Sequence, residues 1–210
     1  MQKGLVGYWD LSKESLKSAT VLADKTPYGN NGTSANTPVF TTDRHGQAGK
    51  AMSFNGSSDK ITFSSFAHNI GTGDFTISAW VYPTVVSGGW DAIFGIGADG
   101  FSEPGFYISS SKLQVYWLTG AYTDVFNTTL TNNTWYHFIL LRSSGTVKAY
   151  INGVQETTTY SRSNNVGTTD IAYIGFDGGA GTNISGSISD VRIYNRALTQ
   201  VEITQLYNSY

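Results

Sequence analysis

The run Phe75-Thr76-Ile77-Ser78-Ala79-Trp80-Val81-Tyr82 alternates with a period of two, a pattern that suits a half-buried strand and not a helix. It puts Phe75, Ile77, Ala79 and Val81 on one face and Trp80 and Tyr82 on the other. Short strand-like runs recur along the chain at Leu5 to Leu11, Ala51 to Phe54, Lys60 to Phe63, Ala92 to Ile96, Gly105 to Ile108, Leu113 to Leu118, Trp135 to Arg142, Val147 to Ile151 and Ala172 to Phe176. Clusters of Gly, Asn, Asp and Ser between them supply the backbone conformations of tight turns. Asn55-Gly56-Ser57-Ser58-Asp59 predicts a hairpin between its flanking strands, and Asn152-Gly153 accepts the positive φ of another turn. A chain with 24 glycines and 14 % aromatics agrees with strands joined by turns. The expectation is an all-β, two-sheet sandwich in which residues 1–210 form a single domain.

One helix is signed, near the C-terminus. Thr199 and Glu202 have the capping-box spacing, and Leu198 with Ile203 fits the accompanying hydrophobic staple. The strand before it, Ile188 to Tyr194, does not keep its apolar residues on one alternating face, so it is covered on both sides or carries a bulge. Asp190 sits inside that strand. A carboxylate there needs a cation, an arginine or several N–H groups, because an unpaired buried charge is costly.

Charge narrows the partners. Only 13 % of residues are charged and the net charge is −2, so the chain has no basic field for a nucleic acid. Cysteine is absent, which removes disulfides, thiolate metal sites and cysteine nucleophiles. No apolar run approaches the ~20 residues of a membrane span, so no membrane insertion is expected. Met1-Gln2-Lys3 passes into Gly4-Leu5-Val6-Gly7-Tyr8-Trp9 without a leader-like apolar core, and the chain reads as a module of a longer protein with flanking domains.

Seven segments in order then carry a likeness: G-L-V-G-Y-W, A-D-K-T-P-Y-G-N-N-G-T, A-M-S-F-N-G-S-S-D-K-I-T-F, F-T-I-S-A-W-V-Y-P, W-Y-H-F-I-L-L-R, V-K-A-Y-I-N-G and G-S-I-S-D-V-R-I-Y-N-R-A-L-T-Q-V-E-I-T-Q-L-Y. Together they resemble the laminin G-like domains of the concanavalin A-like lectin/glucanase superfamily. The resemblance implies a jelly-roll of two antiparallel sheets, here followed by the short C-terminal helix, and a curved face and loop rim that in relatives bind sugars, glycoproteins or no known ligand. It also implies a structural Ca²⁺ held by Asp24, the loop backbone with Asn30 and Gly32, and Asp190. The alternative is that Asp24 starts an Asx-turn while Asp190 pairs with Arg192, Arg196 or backbone N–H groups.

Aromatic rings stack on sugar C–H faces and planar polar groups bind hydroxyls, which nominates Trp90, Asp91, Tyr107, Tyr116 and Tyr122 for a glycan site. Tyr107 and Tyr116 are expected to share one sheet face. The glucanase pattern of closely spaced acids on one strand is missing, since Glu14, Glu103, Glu156 and Glu202 each lack a second acid two residues away within a strand. His137 reads as a hydrogen-bonded core residue. The functional expectation is a non-catalytic carbohydrate- or glycoprotein-binding adhesion module of an extracellular, cell-surface or virion-surface protein. A structural spacer without a glycan ligand and a glycan-cleaving enzyme are the competing readings.

Overall fold

The computed structural model describes residues 3–63, 70–97, 104–117, 122–163, 165–166, 171–177 and 182–209. Leu118, expected to end a strand, lies outside them. The strands in the first half are β1 (Leu5–Trp9), β2 (Val21–Leu22), β3 (Gly32–Ser34), β4 (Val39–Thr41), β5 (Ala51–Asn55), β6 (Ile61–Phe63), β7 (Phe75–Pro83) and β8 (Asp91–Ile96). They are followed by β9 (Gly105–Ser109), β10 (Lys112–Trp117), β11 (Tyr122–Val125), β12 (Tyr136–Ser143), β13 (Thr146–Ile151), β14 (Val154–Gln155), β15 (Tyr160–Ser161), β16 (Ala172–Ile174), β17 (Ser185–Tyr194) and helix α1 (Gln200–Asn208). They form two antiparallel sheets. One runs β14-β13-β12-β7-β17-β5-β4 with β1 on β17 and β15 on β13, and the other runs β11-β10-β9-β8-β16-β6-β3-β2.

The core lies between the sheets and is built from the alternation. Phe75, Ile77, Ala79 and Val81 of β7 are fully buried in it, as are Phe106 and Ile108 of β9 and Leu113, Val115 and Trp117 of β10. Phe106 meets Phe138 of the opposite sheet edge-on, with ring centroids 6.3 Å apart. Each of the larger aliphatic and phenylalanine side chains among them contributes roughly 1.5–3 kcal/mol by leaving water. The other face of β7 is not solvent. Trp80 lies there, 7 % exposed, stacked on His137 and on Tyr207 of α1. Leu198, Ile203 and Leu206 close a second, smaller core over Ile139 and Leu141.

The hairpin expected at residues 55–59 does not form. β5 pairs with β17 and β4, whereas β6 pairs with β3 and β16 in the other sheet. Asn55 Oδ1 accepts the N–H groups of Ser57, Ser58 and Asp59, and the Asp59 carboxylate accepts the N–H of Asn55. The turn chemistry is therefore local, and the corner it winds hands the chain from one sheet to the other. The turn expected at Asn152-Gly153 does form, with φ +53° and +79°, and it joins β13 to β14.

β17 closes the molecule. Along one edge it pairs with β7 on both sides of a register shift between Ser189 and Arg192; along the other, Ser185–Ile188 pair with β5 and Val191–Tyr194 pair with β1. Asp190 falls at that handover, in a bulge with φ +54°. Ile188, Val191 and Ile193 thereby all reach the core despite their broken spacing.

Candidate functional site

Of the expected sugar-binding residues, Tyr107 and Tyr116 fall on the outer face of the eight-stranded sheet with Trp90 against them, and Asp91 sits opposite inward-facing Ile108. Period-two geometry sends Phe106 and Ile108 inward and leaves Tyr107 on the opposite side; in β10, Gln114 and Tyr116 do the same against Leu113, Val115 and Trp117. Register completes the grouping, with Tyr107 opposite Gln114 and Tyr116 opposite Gly105. A Cβ at Gly105 would come within 2.3 Å of the Tyr107 ring and hydroxyl, so glycine is required for that ring to lie back over its own strand.

Trp90 stands edge-on to both tyrosines, with centroids 5.2 Å from Tyr107 and 6.1 Å from Tyr116. It is 38 % exposed while Tyr107 is 2 % exposed. The indole is thus held by rings beneath it and open to solvent. Tyr107 is fixed through its hydroxyl, which donates to Asp177, and Thr182 Oγ1 donates to the other oxygen of the same carboxylate. Burial, reinforced by Asp177, pushes the Tyr107 hydroxyl far above the usual phenol range. Asp91 is half-buried and accepts the N–H of Ser185; burial raises its carboxyl to about 6. The β10–β11 register pairs Tyr122 with Trp117 and sets Thr123 opposite Tyr116.

Asp177 and Thr182 carry no motif in the sequence. They flank a glycine-rich stretch, and only the fold brings them under Tyr107. Tyr173 likewise carries no motif. It occupies the same cross-strand row as Tyr116 through Gly105 and Gly95.

The acidic residues of the first loop and last strand lie on other partners. Asp24 Oδ1 accepts the N–H groups of Tyr8 and Thr26 at 3.1 and 2.9 Å, and Oδ2 accepts Thr26 Oγ1 at 2.7 Å and the N–H of Asn30 at 2.9 Å. The Asn30 carbonyl accepts the Trp9 indole N–H at 2.8 Å. Gly32 is in β3, where a Cβ would strike Ile61 at 2.4 Å and Phe63 at 2.6 Å. Asp190 accepts the Tyr8 hydroxyl at 2.9 Å, Arg192 at 3.1 Å and Arg44 at 3.2 Å. Burial alone would raise the Asp190 carboxyl; Arg192, the Tyr8 hydroxyl and Arg44 outweigh it and hold it below the ordinary range. Each guanidinium also covers a ring, Arg44 over Trp80 at 4.2 Å and Arg192 over Tyr8 at 4.4 Å.

Residues 55–204 match a laminin G family model described as the concanavalin A-like lectin/glucanases superfamily. The chain belongs to that superfamily. No curated protein matches the sequence. Among solved structures, this laminin G-like chain is similar to domain 4 of AbnA, a GH43 extracellular arabinanase of Geobacillus stearothermophilus in complex with arabinotriose. The TM-score is 0.76 at 18 % identity, over 99 % of this chain and 100 % of that one. It is similar also to the binding domain of Paraclostridial Mosquitocidal Protein 1, with a TM-score of 0.76 at 18 % identity over 99 % of this chain and 52 % of that one. Trypanosoma rangeli sialidase gives a TM-score of 0.71 at 21 % identity, over 100 % of this chain and 33 % of the enzyme. The laminin G-like chain thus spans about half of the toxin binding domain and a third of the sialidase, and identities this low establish the fold alone.

For a laminin G-like domain, the Ca²⁺ expectation can be tested on its donors. Both oxygens of Asp24 already accept two hydrogen bonds each, and a cation at Asp190 would face two guanidinium groups. Among the described residues, no group of three His, Cys, Asp or Glu is placed to hold a metal. Asp24, Asn30, Gly32 and Asp190 as they stand do not fit a shared calcium. Asp24 makes the Asx-turn, and Asp190 the arginine pair.

Proposed function

We propose that this domain binds carbohydrate without cleaving it, as a module of a secreted or surface-exposed protein, with the glycan stacked on Trp90. The observation that carries the reading is the exposed indole fixed edge-on against Tyr107 and Tyr116, since a large exposed aromatic held rigid gives stacking area at little entropic cost. The Tyr116 hydroxyl supplies a polar contact beside it. Tyr116 and Tyr173 lie three strands apart, about 14 Å at the usual inter-strand spacing. That span suits an oligosaccharide lying across the strands. The arabinotriose complex of the similar arabinanase domain and the binding role of the similar toxin domain support the same class of function. The ligand is a free glycan or the glycan of a glycoprotein, and adhesion through it is the expected use.

A glycan array tests this. Wild type is expected to retain a restricted set of oligosaccharides, and Trp90→Ala to retain none; equal retention by both would remove the basis of the reading. One observation favours a second reading, glycan cleavage: burial holds the Asp91 carboxyl near 6, as a general acid requires. Turnover of a polysaccharide by wild type and not by Asp91→Asn would establish it in place of simple binding.

A further inference from the structure

The chain holds three Asn-Gly pairs, Asn31-Gly32, Asn55-Gly56 and Asn152-Gly153. Such a pair is able to react with itself, because the glycine main-chain nitrogen is tethered next to the asparagine Cγ and no side chain opposes its approach. The nitrogen attacks Cγ and a C–N bond forms; the C–N bond to the side-chain amide breaks, and that nitrogen leaves as ammonia with the proton the glycine nitrogen gives up. The product is a five-membered succinimide. Water then adds to one of its two carbonyls and opens the ring, leaving aspartate or an isoaspartate whose backbone runs through the former side chain.

The fold treats the three pairs differently. At the exposed Asn55 corner the Gly56 N–H donates to the Ile184 carbonyl at 3.0 Å, so the attacking nitrogen is engaged. Gly32 is buried in β3 against Ile61 and Phe63, away from the water that opens the ring. Asn152 and Gly153 are half-exposed, and the Gly153 N–H makes no hydrogen bond among the described residues. Asn152 Oδ1 accepts the His137 N–H at 2.8 Å, so a main-chain donor already sits on the oxygen that becomes anionic as the nitrogen adds. This pair therefore combines an unengaged nucleophile, a polarised carbonyl and access to water. It is also tied to α1. The Gly153 carbonyl accepts Gln200 Nε2 at 3.0 Å, and a Cβ on Gly153 would stand 3.3 Å from the ring of Tyr207, which itself stacks on Trp80. Isoaspartate adds one backbone carbon between positions 152 and 153, which shifts Gly153 away from both contacts.

We propose that Asn152 is a self-modifying site, converted through a succinimide to isoaspartate ahead of Asn55 and Asn31 in the folded domain, and that this conversion loosens α1 from the nine-stranded sheet. Peptide mapping by mass spectrometry tests it on the whole domain held at neutral and at mildly alkaline pH, with the guanidinium-unfolded chain aged in parallel. In the folded domain Asn152 is expected to convert several-fold faster than Asn55 or Asn31, faster still at the higher pH, and to give more isoaspartate than aspartate; in the unfolded chain the three pairs are expected to convert at similar rates. Conversion led by Asn55 or Asn31 in the folded domain, no conversion at any of the three, or the same lead for Asn152 in the unfolded chain would overturn the proposal. Amide hydrogen exchange reads the consequence. Protection of the α1 amides should fall by about tenfold in the separated isoaspartyl form and stay at the unmodified level in Asn152→Asp, which carries the charge without the added carbon. Equal protection in all three forms would overturn the link to α1.

Discussion

His137 lies under Trp80 with its Nε2 2.8 Å from Ser78 Oγ, and burial, followed by the nearby Arg44, lowers its pKa to about 3. The unfolded chain takes up a proton near 6.5 and the folded one does not, so stability is full above 6.5 and is lost as the pH falls toward 3. Asp91 has the opposite slope. Its folded pKa of about 6 lies above the ordinary 3.8, so the folded chain keeps its proton longer and stability falls as the pH rises from 3.8 to 6. Urea denaturation across pH 3.5–7 (roughly the span of both titrations) should show a shallower acid loss in His137→Gln and a steeper one in Asp91→Asn; unchanged slopes in both would contradict these assignments. The core role of His137 was legible from its place in an aromatic strand. Asp177 was not, since its only signal is a contact 70 residues away in sequence.

At the scale of elements, α1 and the β17 bulge carry the closure. Thr199 accepts the N–H of Glu202 and the Glu202 side chain accepts the N–H of Thr199 in return, so the box written in the sequence is made. Glu202 also takes a bidentate grip from Arg196, which, with that N–H, lowers its carboxyl to about 2. Thr199→Ala is expected to cost about 1 kcal/mol by thermal or denaturant unfolding. Asp190→Ala should cost more, roughly 3–5 kcal/mol, because it strands two guanidiniums beside the sheet handover. Chelator should leave the wild-type Tm unchanged; a drop on adding EDTA that calcium restores would mean a metal takes part in this closure after all. The bulge was legible as an irregular apolar pattern. Arg44 was not, because a loop arginine carries no signal for a carboxylate 146 residues away. The 55–59 turn misled for a related reason, since Asn-Gly chemistry fixes a corner and does not say which sheet each arm joins.

On the scale of the whole molecule, the two sheets divide the work. The nine-stranded sheet is covered by α1 over Trp80 and tied to the Arg44 loop through Asp190, while the eight-stranded sheet presents Trp90, Tyr116 and Tyr173. No helix among the described residues is long and apolar enough to cross a membrane. The sandwich followed from composition and period because many short alternating strands have few other ways to bury one face. The shared face of Tyr107 and Tyr116 followed from their alternation too, whereas the edge-on place of Trp90 against both did not, because it depends on how the loop before β8 lies over two other strands; in the backbone register Tyr122 stands opposite Trp117. The most direct test of carbohydrate binding is titration calorimetry with the best array glycan, comparing wild type with Trp90→Ala at matched Tm. A loss of at least tenfold in affinity, about 1.4 kcal/mol, is the predicted result, and equal affinities at equal stability would contradict it.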